Sequence, residues 1–328
     1  MMPTLKAPFP YFGGKSAVAA QVWARLGDVH NYVEPFCGSC AVLLARPAPP
    51  KIETVNDINS HLANFWRALQ HDPDAVARHA DYPVSELDLH ARGDWLFYRP
   101  GMAEWTERFR VDPEFYDAKS AGWWVWGLCS WIGDGWGGRA AGQGVNRKRP
   151  HLGAGQGVNR QLPHLGDAGR GDVEPPFVTS RTHQLIEYFR QLAERLRGVR
   201  VCCGDWTRVC GPITTFLNGM TGAFLDPPYA VADRDSVYGE HEDFQVAHAV
   251  REWAITNGQN PLMRIALCDY DEHKMPAGWT QFAWKTKGGF GAQRKRGINN
   301  NPSRETIWFS PHCLNPHGDF LSGLEQAE

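Results

Sequence analysis

The chain has 328 residues, of which 42% are hydrophobic and 21% are charged, a globular composition that excludes disorder along its whole length. Its formal net charge of -2 excludes a globally basic nucleic-acid coat, but a local basic surface can still bind phosphates. No run approaches about 18 consecutive apolar residues, and the first residues leave no room for the apolar core of a signal peptide. We therefore expect no membrane span and a cytoplasmic location.

The first zone, residues 1–90, alternates between strand and helix patterns. An apolar, β-prone run at 31–36 ends in a glycine-containing turn, and helix formers follow at 41–45. A second short strand is predicted at 52–55, and apolar residues with helical spacing begin after Asn59. This order is typical of a parallel sheet with helical crossovers, so we predict an α/β fold.

The composition changes in the middle of the chain, from about residue 120 to residue 177. Five tryptophans crowd together there: Trp123, Trp124, Trp126, Trp131 and Trp136. Indole rings can form a core or stack on bases, so their number alone does not decide between these roles. Residues 141–166 then hold two copies of a glycine-rich repeat with a period of 13 residues, too few for a solenoid. We predict a long loop or flexible hairpin here, and we take 91–177 as a region inserted into the main domain.

Charge favours contact between this insertion and DNA. Between Arg139 and Arg170 the chain has six lysines and arginines but one acid, a net charge of +5. Such an excess favours a polyanion, although a solvated, disordered insertion is the simpler alternative. The basic run 294–296, in a second glycine-rich loop, could equally clamp a phosphate or form a solvated hairpin tip. The candidate DNA-binding residues are Arg139, Arg147, Lys148, Arg149, Arg160, Arg294, Lys295 and Arg296.

The α/β pattern resumes at about residue 178. An amphipathic helix is predicted at 185–196. Five strands are predicted after it, at 199–203, 223–225, 264–268, 279–286 and 306–310. The two outer zones therefore predict one domain with one sheet, residues 1–90 and 178–328, that the middle zone interrupts.

The sharpest chemical signal is Asp226-Pro227-Pro228-Tyr229, at the end of an apolar strand. The exocyclic amine of adenine is a poor nucleophile because its lone pair is delocalised into the ring. A fixed carboxylate and a backbone carbonyl that accept its two hydrogens would free that lone pair. The prolines fix φ twice and leave a rigid turn with outward carbonyls, and Tyr229 offers a ring on which a flipped-out base can stack. A strand-ending turn with a capping Asp is the structural alternative.

A second signal follows the first predicted strand, where sheets of this kind bind nucleotide-like cofactors. Gly38 in this turn lets a ligand approach the backbone closely. Asp57 lies 19 residues further on, at the end of the next strand, from which a carboxylate can accept hydrogen bonds from ribose hydroxyls. A diphosphate-binding G-x-G-x-x-G is absent, so a cofactor with ribose but no phosphate, such as S-adenosylmethionine, fits better than a dinucleotide.

Five motifs occur in an informative order: 10–15 (Pro-Tyr-Phe-Gly-Gly-Lys), 34–39 (Glu-Pro-Phe-Cys-Gly-Ser), 57–59 (Asp-Ile-Asn), 204–206 (Gly-Asp-Trp) and 226–229 (Asp-Pro-Pro-Tyr). With them the chain resembles a Dam-type, D12 class adenine-N6 DNA methyltransferase of the α arrangement. The resemblance covers roughly residues 7–70 and 180–314. It implies a Rossmann-like sheet that binds S-adenosylmethionine, an inserted target-recognition region, double-stranded DNA as substrate and a flipped-out adenine.

The resemblance also implies roles for individual residues. Tyr11, where the family usually has Trp, and Lys15 match the N-terminal cofactor-pocket motif. Glu34, Phe36 and Gly38 match the loop at the methionine side, and Asp57 matches the ribose ligand. Asp205 and Trp206 match the residues that frame the cofactor adenine. Asp226, Pro227 and Tyr229 match the catalytic motif, and Asp226 also counts among the cofactor-binding residues.

The insertion departs from the family pattern. The basic hairpin of GATC-reading members is not found, and the repeats in its place resemble those of phage-borne members. The recognition sequence, a cognate restriction enzyme and the oligomeric state therefore stay open. Glycine-rich basic loops favour backbone contacts and relaxed specificity. Cys37 and Cys40 form a C-x-x-C pair without a second pair at zinc spacing, so we predict no metal site.

Two alternatives to DNA adenine methylation remain on the sequence alone. The same scaffold can methylate another exocyclic amine, in RNA adenine or at N4 of cytosine. A non-catalytic module could also keep the fold and use the insertion to coat DNA. The intact Asp226, Tyr229 and Asp57 argue against such decay.

Overall fold

The computed structural model describes residues 5–11, 14–48, 51–112, 114–132, 157–158, 181–228, 240–270, 274–284 and 305–316. The helices in these ranges are α1 Ala19–Leu26, α2 Ala41–Leu44, α3 Ser60–His71, α4 Pro73–Ala80, α5 Glu86–Tyr98, α6 Met102–Val111, α7 Ala118–Ser130, α8 Arg181–Leu196 and α9 Glu240–Asn257. The strands are β1 Asn31–Glu34, β2 Ile52–Asp57, β3 Trp131–Ile132, β4 Gly157–Val158, β5 Val199–Cys203, β6 Thr221–Leu225, β7 Met263–Tyr270, β8 Thr280–Ala283 and β9 Glu305–Phe309.

Seven of these strands form one sheet in the order β5-β2-β1-β6-β7-β9-β8. β1 pairs in parallel with β2 and with β6, and β6 pairs in parallel with β7. β9 pairs antiparallel with β7 and with β8. Every residue of β1 and β6 is buried, as expected of central parallel strands covered on both faces. The predicted α/β fold is confirmed, and it is consistent with a methyltransferase sheet.

The chain divides into two compact units. The first comprises Met1–Gly14, Gly38–Leu44 and Asn56–Asp205, and the second comprises Lys15–Cys37, Ala45–Val55 and Trp206–Glu328. Helix α5 passes residue 90, where the boundary of the insertion is predicted. The division at residues 90 and 177 stays a prediction.

The first unit is built on an aromatic core between helices. The ring of Phe9 lies 5.3 Å from that of Phe65 and 5.4 Å from that of Trp124, both edge to face. Phe65 also contacts Trp66 and Phe189, at 4.9 and 6.1 Å. Edge-to-face contacts of this kind add to the free energy gained from burial. Trp124 and Trp126 of the tryptophan-rich stretch are therefore buried in helix α7 as core residues.

The second unit contains the buried ion pair of Arg46 and Glu53. Arg46 Nη1 lies 3.2 Å from Glu53 Oε1, and the two side chains are 0% and 2% exposed. Arg46 Nη2 also donates to the carbonyl of Val29 at 2.6 Å, and the guanidinium lies over the Trp23 ring. The pair thus joins β2, through Glu53, to the turn before β1.

The helix and strand predictions of the outer zones are confirmed by β1, β2 and β5 to β9 and by helices α2, α3 and α8. Helices α1, α4 to α7 and α9 were not predicted. Of the repeat region 141–166, Gly157 and Val158 are described, and they pair with Trp131 and Ile132 in a two-stranded sheet. No helix among the described residues is long and apolar enough to cross a membrane.

Candidate active site

In the first unit, a glycine turn marks the expected cofactor loop. Gly38 has a φ of +43°, which favours glycine, and a Cβ there would lie 2.6 Å from the Tyr11 ring. Trp66 Nε1 donates to the carbonyl of Gly38 at 3.1 Å. The absence of a side chain at Gly38 therefore lets the Tyr11 ring lie directly against the turn, which the indole of α3 holds in place.

Asp57, the last residue of β2, contacts the same turn. Its Oδ2 accepts from the Gly38 amide at 3.2 Å, and its Oδ1 accepts from the Asn59 amide at 2.9 Å. Asn59 in turn caps helix α3, because its side chain accepts from the first amides of that helix. Burial raises the pKa of the Asp57 carboxyl to about 6, against the lowering effect of backbone hydrogen bonds from Asn59, Gly38 and Ile58.

The loop after β5 is tied to the end of β2. The Gly204 amide donates to the carbonyl of Asp57 at 3.0 Å, and Asn56 Nδ2 donates to the carbonyl of Gly204 at 2.9 Å. The next residue, Asp205, is exposed. The first unit therefore brings Tyr11, Gly38, Asp57 and Asp205 into one neighbourhood, which we call the Asp57 cluster.

The raised pKa of Asp57 predicts a pH-dependent stability. Between its ordinary value of 3.8 and about 6, the folded protein holds a proton that the unfolded chain has released. The free energy of unfolding should therefore fall as pH rises through this window, by up to about 3 kcal/mol. We expect urea unfolding to show this fall for the wild-type protein relative to Asp57→Asn, which does not titrate. A difference between the two that stays level from pH 4 to 7 would contradict the assignment.

In the second unit, Asp226 directly follows the buried strand β6. Its Oδ2 lies 2.8 Å from Lys15 Nζ, and the two side chains are 19% and 4% exposed. Lys15 precedes helix α1, and the amide of Val18 donates to its carbonyl in the connecting turn. The Trp284 ring, just after β8, lies 5.9 Å from the same ammonium. We call these three side chains, Lys15, Asp226 and Trp284, the Asp226 cluster.

Glu34 and Phe36 also lie in the second unit, at and after the end of β1. The Tyr32 hydroxyl donates to Glu34 Oε2 at 2.9 Å, and both side chains are buried. The Phe36 ring lies 6.3 Å from that of Trp206, which in turn contacts Trp253 edge to face. The indole of Trp253 donates to the carbonyl of Cys210 at 3.1 Å, which fixes this aromatic group against the loop after Trp206.

The remaining predicted site residues are only partly covered. Pro227 is buried, and Pro228 is half-buried. Tyr229 lies outside the described residues, and so do all the candidate DNA-binding residues: Arg139, Arg147, Lys148, Arg149, Arg160, Arg294, Lys295 and Arg296. All eight cysteines lie in the described ranges and are reduced thiols. Within the described ranges no three His, Cys, Asp or Glu residues are arranged to hold a metal ion.

Sequence reasoning missed the residues that support these clusters. Trp66 was predicted only as an apolar position of a helix, Tyr32 only as part of a strand, and Trp284 only as part of an alternating strand. Their hydrogen bonds and ring contacts join residues that are distant in the sequence or on one face of a strand. The polar ends of Trp and Tyr are the available signal, because a buried N–H or O–H normally finds a partner.

Comparison with known proteins gives a family match for about the first third of the chain. Residues 11–116 match the model of the D12 class N6 adenine-specific DNA methyltransferase family. The match includes Tyr11, Lys15, Glu34, Gly38 and Asp57 and ends before Asp226. The chain matches no curated protein.

Proposed function

We propose that this chain, a DNA adenine-N6 methyltransferase with a D12 class domain at residues 11–116, transfers the methyl group of S-adenosylmethionine to N6 of a flipped-out adenine in double-stranded DNA. The observation that carries the proposal is the buried strand β6 that ends at Asp226, whose carboxylate is held by a buried ammonium. Strand ends of this kind place catalytic groups in open α/β sheets.

The Asp57 cluster supports the choice of donor. We propose that the Asp57 carboxylate accepts hydrogen bonds from the ribose hydroxyls of S-adenosylmethionine. Each carboxylate oxygen has more than one lone pair, so the hydrogen bonds from Gly38 and Asn59 leave acceptor capacity. Asp205 and Tyr11, in the same cluster, are proposed to contribute to the binding of the donor.

The second unit contains side chains whose chemistry suits the adenine and the methionine part of the proposed donor. The Phe36 and Trp206 rings offer an aromatic surface for the donor adenine. Glu34, oriented by the Tyr32 hydroxyl, is a buried carboxylate suited to the ammonium of the methionine moiety. Within the second unit, these residues suit the aromatic base and the amino-acid part of such a donor.

Asp226 and Pro227 are proposed to act on the acceptor. The carboxylate of Asp226 and the carbonyl of Pro227 would each accept a hydrogen of the N6 amine, which directs the lone pair of the nitrogen towards the methyl group. We propose that Tyr229 stacks on the extruded adenine and offsets part of the unstacking cost, on the order of a few kcal/mol. The bond between N6 and the methyl carbon forms as the bond from that carbon to sulfur breaks. The methylated, positively charged amine then releases one proton.

S-adenosylmethionine supplies an activated methyl group on a sulfonium, whose thioether product leaves neutral and needs no acid. The protein therefore has to position the two reactants rather than protonate a leaving group. Alignment of this kind can supply roughly 7–11 kcal/mol of the barrier lowering in a two-reactant step. Fixed carboxylates such as Asp226 serve this task better than mobile ones.

The region 91–177 is proposed as the insertion that contacts DNA. Its support is the net charge of +5 between Arg139 and Arg170, which favours phosphate contacts over base reading. The basic run 294–296 is proposed as a second phosphate contact. Both assignments would be supported if DNA binding weakened with rising salt concentration and if substitutions that remove the positive charges of these residues also weakened it.

Methylation-aware sequencing tests the proposed function directly. The chain is expressed in a methylation-deficient host, and the host DNA is sequenced beside DNA from a host that expresses the Asp226→Ala variant. We expect N6-methyladenine in the first sample alone, together with its sequence context. Modified cytosine would favour the alternative amine, and DNA binding without any modified base would favour a non-catalytic module.

A further inference from the structure

We propose that Lys15 is a positioning residue for the reaction, which fixes the Asp226 carboxylate in the orientation that receives the adenine amine. This inference rests on the proposed function, because it assigns Lys15 to the acceptor carboxylate instead of to the donor. The juxtaposition that carries it is the 2.8 Å ion pair between Lys15 Nζ and Asp226 Oδ2.

Burial makes this contact necessary. The Lys15 side chain is 4% exposed, and a lysine ammonium is rarely buried unless it is paired, because its desolvation is costly. Asp226 supplies the opposite charge at the distance of a charge-assisted hydrogen bond. The described surface ion pairs carry no such constraint: Lys51 and Asp28, at 3.3 Å, are 44% and 57% exposed.

The backbone around the pair keeps the two groups in register. Lys15 is joined by a short turn to helix α1, and Asp226 directly follows β6. Gly222 in β6 lets α1 and the following turn pack closely, since a Cβ there would lie 3.1 Å from Val29 and 3.3 Å from Leu26. The distance between α1 and β6 is thus set by close packing, and so is the distance between the two charges.

Trp284 covers the ammonium from another element. Its ring lies 5.9 Å from Lys15 Nζ, within the range of a cation–π interaction, and it is half-buried. This contact favours the position of the ammonium next to Asp226. The lysine is therefore held by two attractive partners from distant parts of the sequence.

The pair determines how the carboxylate can be used. A carboxylate has about four acceptor sites on its two oxygens, so an ion pair at Oδ2 is compatible with acceptance of an amine hydrogen. The pair removes the rotational freedom of the carboxylate about its Cβ–Cγ bond. A displacement of about 1 Å at a reacting centre can cost about 100-fold in rate, so this orientation should matter for the transfer step.

The test compares Lys15→Met with Lys51→Met, which removes a lysine of the exposed Lys–Asp pair in the same unit. Single-turnover incorporation of tritiated methyl is measured with DNA from a methylation-deficient host, and S-adenosylmethionine binding is measured separately by calorimetry. We expect Lys15→Met to lower the transfer rate about 100-fold and to leave the dissociation constant of S-adenosylmethionine unchanged. Lys51→Met should match the wild-type protein in both measurements.

Two outcomes would overturn the proposal. A normal transfer rate in Lys15→Met would show that the pair does not orient a reacting group. A loss confined to weaker binding of S-adenosylmethionine would make Lys15 a donor ligand instead. Both results are distinct from failure of the proposed function, in which the wild-type protein itself incorporates no label into adenine.

A double-mutant cycle keeps the test decisive if Lys15→Met folds poorly. Urea midpoints are measured for the wild-type protein, Lys15→Met, Asp226→Asn and the double variant. If the two groups act as a pair, Lys15→Met should lower the midpoint less in the Asp226→Asn background, by about half or less of its effect in the wild-type protein. Equal effects of Lys15→Met in both backgrounds would overturn the pairing.

Discussion

Replacement of Asp226 by alanine is expected to reduce adenine methylation by about 1000-fold or more. The variant loses the carboxylate proposed to accept the N6 hydrogen, and removal of one preorganised electrostatic group from an active site commonly costs 100- to 1000-fold. It also leaves the Lys15 ammonium buried without this partner. Both effects act on the same measurement, the incorporation of tritiated methyl into unmethylated DNA.

A second variant separates the two effects. Asp226→Asn keeps the shape of the side chain and an acceptor oxygen toward Lys15, so it should fold better than Asp226→Ala while its transfer rate stays far below that of the wild-type protein. Asp28→Asn is the matched control and should be fully active, because the Asp28 side chain is 57% exposed and its partners are Lys51 and Arg46. Near-normal methylation by folded Asp226→Ala, as judged by circular dichroism, would refute the catalytic assignment.

Loss of the Glu53 carboxylate should cause the largest change in stability. Glu53→Ala removes the buried anionic partner of the Arg46 guanidinium and leaves it the more distant, exposed Asp28 at 3.7 Å; loss of a buried partner typically costs about 3–5 kcal/mol. We expect a lower urea midpoint in chemical denaturation at an unchanged m-value. Glu194→Ala is the matched control, because Glu194 and Arg197 form an exposed pair that should contribute less than about 1 kcal/mol.

Removal of both charges should restore most of the loss. The double variant Arg46→Met and Glu53→Leu replaces the pair by apolar side chains of similar volume, a change that is often neutral for buried ion pairs. In this double variant the carbonyl of Val29 loses the hydrogen bond that Arg46 donates at 2.6 Å. We expect this loss to account for the destabilisation that remains. A double variant as unstable as Glu53→Ala would show that the desolvated charge is not the cause.

The strands of the fold could be predicted because each carries its own local pattern. β1 and β6 are short segments that contain β-prone or apolar residues, and both end at turns rich in Gly or Pro. Helices α5 and α6 were missed since charged and aromatic residues are scattered around them without a clear apolar face. The number of tryptophans did not show whether they form a core or stack on bases. The contacts of Trp124 with Phe9 and Phe65 show that Trp124 is a core residue.

The candidate site was less predictable than the fold. The motif order placed Asp57 and Asp226 at strand ends, and the structure agrees, because strand ends follow from local patterns. The pairing of Lys15 with Asp226 links residues far apart in the chain, and no spacing rule encodes such a contact. The raised pKa of Asp57 depends on burial, which a single sequence does not reveal for one carboxyl.

The division into two units has a consequence for how the protein can be cut. The chain passes from one unit to the other five times, after Gly14, Cys37, Leu44, Val55 and Asp205. A fragment that stops at Asp205 would keep β1 and β2 but lose β6, the second strand with which β1 pairs. Neither unit can therefore be obtained by simple truncation, so fragment libraries and split reporters should start from the intact polypeptide or from permuted versions of it.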